Sequence, residues 1–461
     1  MKTRNMQWMA AGAVALVALC GATGGVAAEK VTCRVELDRG VLPAGSAQKA
    51  VIKITLDAPA APKTERPPVN LAIVLDRSGS MGGEKLERAK QGAIEAVRRL
   101  GPRDRFSLVA YDDQIETIVP AQGAGNIEWV ENRIRGIQAG NSTALFGGVS
   151  QGAAELRKNI EGHFVNRMIL LSDGLANVGP SQPADLARLG AALAKENIAV
   201  STVGVGNDYN EDLMTRLSQN SGGNAYYVRE SAELPKLFAA ELGDVLSVVA
   251  RRVVLEIVCP DGVKPLRIIG RDGRIHGNRI EVDLSQLCGG QSKYALVEVE
   301  VPSGRPSEER PIATAKCTYE NVVNQCTESA GGHVAAHFSD REPEVVKSAN
   351  AEVQVEYFRN RAAETRDEAV KMVDQGKPAD AAEYSARNAA ELKQEATKYG
   401  VGDKIRQDLE VLSNDAQVIR DNRGLPSASR KAMRTDSYQM RNQQSVDQNI
   451  SVDMMRAPAK Q

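Results

Sequence analysis

The chain has 461 residues, of which 42% are hydrophobic and 25% are charged, so it has the composition and length of a globular protein with two or three domains. Its 58 basic and 59 acidic residues give a formal net charge of −1. Nucleic-acid-binding domains carry a basic patch or stripe, and this sequence has none. We therefore expect no nucleic-acid partner.

The N-terminus, residues 1–28, has the pattern of a secretory signal peptide. Lys2 and Arg4 precede an apolar run that ends at Cys20, and small residues follow as far as Ala28, a suitable cleavage site. An uncleaved membrane anchor is the rival interpretation, but the apolar run is shorter than the roughly 20 residues that a span requires. We predict a secreted or periplasmic protein with no transmembrane segment in the mature chain. Lipidation at Cys20 stays open.

Residues 31–57 alternate apolar and polar side chains around a Pro-Ala-Gly turn, which is typical of half-buried antiparallel strands. The segment APAAPKTERPP follows, and its prolines remove backbone donors and disfavour a helix, so it reads as a connector. We assign residues 29–62 to the first strands of a β-sandwich.

Between residues 69 and 250, apolar strand patterns alternate with helical patterns. The strand candidates are VNLAIVLD, RFSLVAYD, TIVPA, NRMILLSD, IAVSTVGVG and NAYYVRE. Continuous apolar runs indicate strands that are buried on both faces, and the alternation predicts a mostly parallel sheet wrapped by helices. The last helix of this region is predicted to run from residue 231 to residue 250.

Three short motifs in this region carry side chains with oxygen ligands. They are Asp76, Ser78 and Ser80 in LAIVLDRSGSM, Thr143 in GNSTALFGG, and Asp173 in MILLSDGLANVG. A hard divalent cation prefers several oxygen ligands, and ligands gather at the carboxyl ends of parallel strands, where both aspartates fall. The motifs predict one cation site, with a coordination position left over for a carboxylate from another molecule.

These motifs, in this order, resemble those of the von Willebrand factor A (VWA) domain, the fold shared with integrin I domains. In that family a D-x-S-x-S strand end, a loop Thr and a loop Asp form the metal-ion-dependent adhesion site, and all five positions are filled here. The resemblance implies a doubly wound, Rossmann-like α/β domain. It also implies Mg²⁺, or Ca²⁺ or Mn²⁺, as the metal, with Asp173 acting directly or through water. The implied partner is a protein with an exposed Asp or Glu.

Two functions are compatible with the sequence. In the first, the cation grips a partner's acidic side chain, as in adhesion. In the second, the metal only stabilises its loops, and the other domains act as an envelope scaffold. We expect no enzymatic activity, because the H-E-x-x-H and G-x-x-x-x-G-K-[ST] motifs are absent and no general base is evident beside the cation.

Residues 251–341 return to alternation with a period of two, and secreted bacterial VWA proteins resembling this chain carry β segments around the VWA core. We therefore expect these residues to form a β-sandwich with residues 29–62, with the VWA domain (69–250) inserted in or flanked by it. Cys317 and Cys326 flank TYENVVNQ symmetrically, which would place them opposite each other across a hairpin, and we predict a disulfide between them.

Residues 342–421 show apolar side chains at helical spacing, interrupted at Gly376-Lys377-Pro378, which predicts a helical hairpin with a third helix near 405–419. Residues 422–461 are rich in Ser, Asn, Gln, Arg and Met with little periodicity, and we predict that they are disordered. The oligomeric state is not defined by the sequence.

Overall fold

The computed structural model describes residues 30–62, 66–160 and 163–444. The predicted signal peptide (1–28), the candidate lipidation site Cys20 and the end of the predicted disordered tail lie outside these ranges. Of the helices within them, none is both long enough and apolar enough to cross a membrane.

The described part of the chain begins with three strands, and an α/β domain follows. The first strands are β1 (Thr32–Leu37), β2 (Val41–Pro43) and β3 (Gln48–Asp57). The strands of the α/β domain are β4 (Val69–Asp76), β5 (Arg105–Tyr111), β6 (Ile115–Gly123), β7 (Val165–Ser172), β8 (Ile198–Val205) and β9 (Ala225–Val228). Its helices are α1 (Glu84–Arg98), α2 (Ile127–Arg135), α3 (Leu145–Arg157), α4 (Pro183–Lys195), α5 (Glu211–Ser221) and α6 (Leu234–Leu246).

The central sheet has the strand order β6-β5-β4-β7-β8-β9, and every neighbouring pair is parallel except β5 with β6. Successive side chains of a strand point to opposite faces. Leu71 and Ile73 of β4 therefore join one core with α1 and α6, whereas Ala72 and Val74 join the other with α3 and α5. Helices on both faces explain why the strands are continuous apolar runs, and the predicted doubly wound α/β fold is confirmed.

The predicted boundary between the last helix and the next strand is wrong by a few residues. Helix α6 ends at Leu246, and β10 (Val248–Val258) begins two residues later. The predicted helix extended to Ala250, but Val248 pairs with Cys288 and Ala250 pairs with Leu287 of the neighbouring strand. Cross-strand pairing thus overrides the apolar helical spacing at the end of this segment.

The strands on either side of the α/β domain form one sandwich. Those that follow the domain are β10, β11 (Lys264–Ile269), β12 (Arg274–His276), β13 (Arg279–Cys288), β14 (Ser292–Val301), β15 (Glu309–Asn321) and β16 (Thr327–Ser339). One sheet has the order β1-β3-β14-β11, and the other has the order β12-β13-β10-β15-β16-β2. Strand β3 pairs with β14 from Gln48 opposite Val301 to Asp57 opposite Ser292. The α/β domain is therefore inserted into the sandwich, as predicted.

The predicted disulfide between Cys317 and Cys326 is not formed, and both thiols are free. The hairpin of β15 and β16 exists, but its register places Cys317 opposite Ala330. Cys326 lies in the turn, where its carbonyl accepts a hydrogen bond from the amide of Asn321. The turn of the hairpin therefore lies closer to Cys326 than to Cys317, whereas the symmetric spacing predicted a turn midway between them. The two cysteines are consequently not cross-strand neighbours.

A helical region completes the described part of the chain. Its helices are α7 (Glu342–Lys347), α8 (Ala351–Asp374), α9 (Pro378–Lys398), α10 (Arg406–Asn422) and α11 (Ser427–Asn442). Helices α8 and α9 form the predicted hairpin, and α10 is the predicted third helix. The prediction of disorder from residue 422 is wrong for α11, which packs against α8, α5 and β9. Its contacts are mainly polar, as in the hydrogen bond from Tyr438 to the carbonyl of Gly223, and an apolar pattern could not reveal them.

Candidate metal centre

All five predicted ligands lie at the carboxyl edge of the central sheet. Asp76 is the last residue of β4, and Asp173 follows the last residue of the adjacent strand β7. Ser78 precedes a single 3₁₀ turn, Gly79–Met81, which contains Ser80. Thr143 lies just before α3. The parallel pairing of β4 with β7 brings the first and third motifs side by side.

Asp76 is fully buried and forms the floor of the site. Its Oδ1 accepts a hydrogen bond from the amide of Ser78 (2.8 Å), and its Oδ2 accepts one from the hydroxyl of Ser172 (2.6 Å). Burial raises the pKa of the Asp76 carboxyl to about 6, and the negative charge of Asp173 acts in the same direction. Among the described residues, no arginine or lysine forms an ion pair with this carboxylate. The protein itself therefore provides no basic side chain that neutralises Asp76, and a bound cation would do so.

The two serines and the second aspartate form a chain of oxygens above Asp76. Ser80 Oγ donates a hydrogen bond to Asp173 Oδ1 at 2.7 Å and lies 3.2 Å from Ser78 Oγ. Oxygen ligands about 2.1 Å from Mg²⁺ at adjacent octahedral positions are about 3 Å apart. The spacing of these oxygens is therefore that of neighbouring ligands around one small cation.

The loop that carries Thr143 is fixed from both sides by backbone contacts. The amide of Thr143 donates to Asn177 Oδ1 at 2.8 Å, and the Thr143 carbonyl accepts from the amide of Asn177 at 3.1 Å. On the other side, Gly140 donates to the carbonyl of Arg77 at 2.6 Å. A side chain at Gly140 would overlap Asp112, because its Cβ would lie 1.7 Å from Asp112 Oδ2. Glycine is needed here so that the loop can approach the first motif.

Gly174 marks the point at which the three hydroxyls converge. A methyl group at this residue would lie 3.2 Å from Thr143 Oγ1, 3.4 Å from Ser80 Oγ and 3.8 Å from Ser78 Oγ. Three hydroxyls and two carboxylates thus face one small region, and all are the hard oxygen donors that Mg²⁺, Ca²⁺ and Mn²⁺ prefer. The residues present fit such a cation.

The five proposed ligands differ in their exposure to solvent. Asp76 and Asp173 have no exposed surface, and Ser78 and Thr143 are 2% and 3% exposed, whereas Ser80 is exposed. Leu175, two residues after Asp173, has 59% of its surface exposed. Ser80 is therefore the exposed member of the set, and a ligand from another molecule can approach a cation beside it.

Lys85 also belongs to the site, although it lies outside the three motifs. Its Nζ donates to Asp173 Oδ2 at 2.5 Å and to the carbonyl of Ser80 at 3.4 Å. The signal available in the sequence is a base in the first turn of α1, where the helix dipole disfavours positive charge. Glu84 and Glu87 share that turn, so this signal alone does not point to Asp173.

Other candidates for chemistry do not form a second centre. In the described ranges no three His, Cys, Asp or Glu side chains gather closely enough to hold a metal. A G-x-S-x-G pattern runs from Gly148 to Gly152, but it lies inside α3, and Ser150 Oγ donates to the carbonyl of Phe146. A nucleophile elbow needs a sharp turn between a strand and a helix, so this serine has the wrong local structure.

The α/β domain is the part of this chain that most clearly resembles known proteins. The model of the von Willebrand factor type A domain matches residues 70–240. An uncharacterized protein of Synechocystis sp. is 30% identical over 182 residues, which are 40% of this chain and 43% of that protein. YfbK of Escherichia coli is 27% identical over 267 residues, which are 56% of this chain and 46% of that protein. The match thus spans less than half the length of each of these relatives.

A solved structure resembles both the inserted domain and its surroundings. A von Willebrand factor type A protein from Catenulispora acidiphila matches 84% of this chain and 90% of its own, with a TM-score of 0.65 and 18% sequence identity. At this identity the likeness concerns the fold alone.

Proposed function

Residues 70–240 form a von Willebrand factor type A domain, and we propose that this domain binds a partner protein by holding one of its Asp or Glu side chains through a divalent cation. The proposed ligands of the cation are Asp76, Ser78, Ser80, Thr143 and Asp173. The proposed metal is Mg²⁺, with Ca²⁺ and Mn²⁺ as alternatives of the same chemical class.

The convergence of three hydroxyls around Gly174, beside two buried carboxylates, is the observation that carries this proposal. Hydroxyl ligands add no negative charge, so the only anionic donors of the set are Asp76 and Asp173. A divalent cation in this shell keeps its attraction for a further carboxylate, and that carboxylate would approach beside Ser80, the exposed member of the set.

The loop that follows Asp173 carries two exposed apolar side chains. Leu175 is 59% exposed and Val178 is 36% exposed, and both follow Asp173 in the same loop. We propose that these two side chains contact the partner's surface when its carboxylate is bound. We further propose that the protein acts outside the cytoplasm, on the basis of the signal-peptide pattern in residues 1–28.

The scaffold alternative assigns the metal a structural role, with the sandwich and the helical region making the contacts. Chelation separates the two functions. The purified chain is immobilised, exposed to an extract of its native compartment in Mg²⁺ or in EDTA, and the captured proteins are compared. In parallel, the melting temperature is measured in both buffers.

We expect EDTA to abolish capture and to leave the melting temperature nearly unchanged, because the apolar cores do not involve the cation. Capture that persists in EDTA, together with a lower melting temperature, would instead support the scaffold. A chain that binds neither Mg²⁺ nor Mn²⁺ in calorimetry would remove the basis of the proposal.

A further inference from the structure

We propose that the Lys85 ammonium sets the charge of the metal site. It lowers the affinity of the site for the divalent ion and raises the affinity of the metal-loaded site for a carboxylate. The inference rests on the proposed function, and it assigns a regulatory role to a residue outside the ligand set. It makes Lys85 a positioning and charge-setting residue, not a ligand.

The Lys85 ammonium already occupies one of the two oxygens of a proposed ligand. Its Nζ lies 2.5 Å from Asp173 Oδ2, while Asp173 Oδ1 accepts a hydrogen bond from Ser80 Oγ. The Asp173 side chain has no exposed surface, and the Lys85 side chain is 33% exposed. Asp173 therefore accepts a hydrogen bond from the Lys85 ammonium at Oδ2, while its Oδ1 is directed toward the remaining proposed ligands.

The position of Lys85 has an electrostatic cost that its contact with Asp173 offsets. Lys85 is the second residue of α1, whose first turn also contains Glu84 and Glu87. Acidic side chains are favoured at this end of a helix and basic ones are disfavoured, because the helix dipole is positive there. The 2.5 Å contact with Asp173 therefore compensates for a placement that the helix alone does not favour.

Formal charges show what the ammonium changes. Asp76 and Asp173 contribute two negative charges, so a divalent cation would bring the ligand set to zero. With Lys85 included, the empty site has a charge of −1 and the loaded site has a charge of +1. The lysine thus repels the entering metal, and it supplies the excess positive charge that attracts a partner's carboxylate.

Two affinities should therefore move in opposite directions when the ammonium is removed. In Lys85→Met, we expect the affinity for Mn²⁺ to rise on the order of tenfold and the affinity of the Mn²⁺-loaded protein for acetate to fall by a similar factor. A lysine that only stabilises the fold would change the melting temperature and neither affinity. The opposite signs therefore distinguish the proposed role from a structural one.

The experiment uses the full chain and Mn²⁺ alone as the first probe. Free Mn²⁺ is measured by electron paramagnetic resonance to obtain its affinity. Acetate is then titrated into the loaded protein, and the relaxation of water protons reports the displacement of metal-bound water. Lys85→Arg keeps the charge and should behave like the wild type in both titrations. Lys195→Met removes a lysine from the C-terminus of α4, at the opposite edge of the sheet, and should change neither affinity.

The outcomes separate this inference from the proposed function. If the wild type binds no Mn²⁺, the metal site itself is wrong. If the wild type binds Mn²⁺ and acetate but Lys85→Met has unchanged affinities at an unchanged melting temperature, the metal site stands and the role of Lys85 is refuted. Weaker Mn²⁺ binding by Lys85→Met would also overturn it, because it would make Lys85 a support for Asp173.

Discussion

Buried carboxylates lie at both edges of the central sheet, but their surroundings differ. At the amino edge, Asp104 receives two hydrogen bonds from the Arg66 guanidinium and two from the amides of Val69 and Gly101. At the carboxyl edge, Asp76 and Asp173 meet hydroxyls, and only Asp173 has a basic partner. Asp104 is thus fully paired within the protein, and Asp112 at the carboxyl edge also has an arginine, Arg77, whereas Asp76 has no basic partner among the described residues.

The difference separates a structural carboxylate from a binding one. Despite its burial, the pKa of Asp104 is lowered by Arg66 and by the two amides, whereas burial raises the pKa of Asp76. An arginine that pairs with a carboxylate on two nitrogens fills the oxygens that a metal would use. Hydroxyls leave lone pairs free, because each can accept as well as donate. The partners of a buried aspartate therefore indicate its role better than its burial does.

The largest expected effect comes from removing the hydroxyls at the carboxyl edge. Ser78→Ala combined with Ser80→Ala should weaken Mn²⁺ binding by at least about 100-fold, because two of five ligands are lost. The melting temperature should change little, since neither side chain belongs to an apolar core. Calorimetric titration and thermal unfolding measure the two quantities.

Ser107→Ala is the matched control for the double variant. Ser107 is buried in β5, and its Oγ has no hydrogen-bond partner among the described residues. Its removal should affect neither metal binding nor stability. Retained Mn²⁺ binding in the double serine variant would show that the two edges do not differ as proposed.

The opposite edge should respond in stability and not in binding. Asp104→Ala leaves the Arg66 guanidinium and two amides without their acceptor, and we expect the free energy of unfolding to fall by about 3 kcal/mol. Mn²⁺ affinity should be unchanged. Urea unfolding tests this, with the exposed Asp113→Ala as the control. A variant of unchanged stability would contradict the structural role of Asp104.

The loss of stability in Asp104→Ala should depend on pH. The folded protein has a lowered Asp104 pKa, so this carboxylate stabilises the fold above its ordinary pKa of 3.8. That contribution disappears as the pH falls through the lower folded pKa. The difference in unfolding free energy between wild type and variant should therefore be constant near neutral pH and should shrink in strong acid. A difference that grows in acid would have the wrong sign.

A third set of carboxylates, beneath α11, should show an intermediate effect. The Arg430 guanidinium contacts Glu211, Asp212 and Asp374, and its side chain is 21% exposed. Arg430→Ala should cost about 1 to 2 kcal/mol, and less at high salt, because partly exposed ion pairs are screened. Urea unfolding in low and high salt measures this, and Arg420→Ala on the exposed face of α10 should have no effect. An equal loss at both salt concentrations would argue against ion pairing as the cause.

The smallest expected effect comes from adding a methyl group beside the proposed metal ligands without removing any of them. In Gly174→Ala, the new methyl group would lie 3.2 Å from Thr143 Oγ1, so the hydroxyl must move by a few tenths of an ångström. We expect Mn²⁺ affinity to fall by a few-fold, with the fold intact. Titration of Gly174→Ala beside the wild type tests this, and tighter binding would show that the three hydroxyls do not surround the cation.

Much of the fold was predictable because apolar patterns report burial. Continuous runs such as VNLAIVLD indicated strands covered on both faces, and alternation after residue 250 indicated the sandwich. The prediction that the strands before and after the α/β domain join one sandwich is confirmed by the register of β3 with β14. Helix α11 was missed because most of its buried side chains are polar, and an ion pair such as that of Arg430 with Asp212 does not appear in an apolar pattern.

The candidate site was predictable in its residues but not in its electrostatics. Short motifs place Asp76 and Asp173 at strand ends, and strand pairing then makes them neighbours. The contact of Lys85 with Asp173 spans 88 positions in sequence and depends on the direction in which α1 leaves the loop. No local pattern encodes that direction, so the ammonium could be found only in three dimensions.

The insertion of one domain into another has a consequence for how the chain folds. Ser292 hydrogen-bonds to Asp57 across 235 positions of sequence, so β3 is synthesised long before its partner β14 exists. Until then, β1 and β3 form a two-stranded sheet in which one edge of β3 has unpaired backbone groups. Such an edge can pair with strands of other chains and so lead to aggregation. Rapid folding of the intervening domain shortens the span to be closed. Slow-folding variants of that domain should therefore aggregate through the sandwich, even though their defect lies elsewhere.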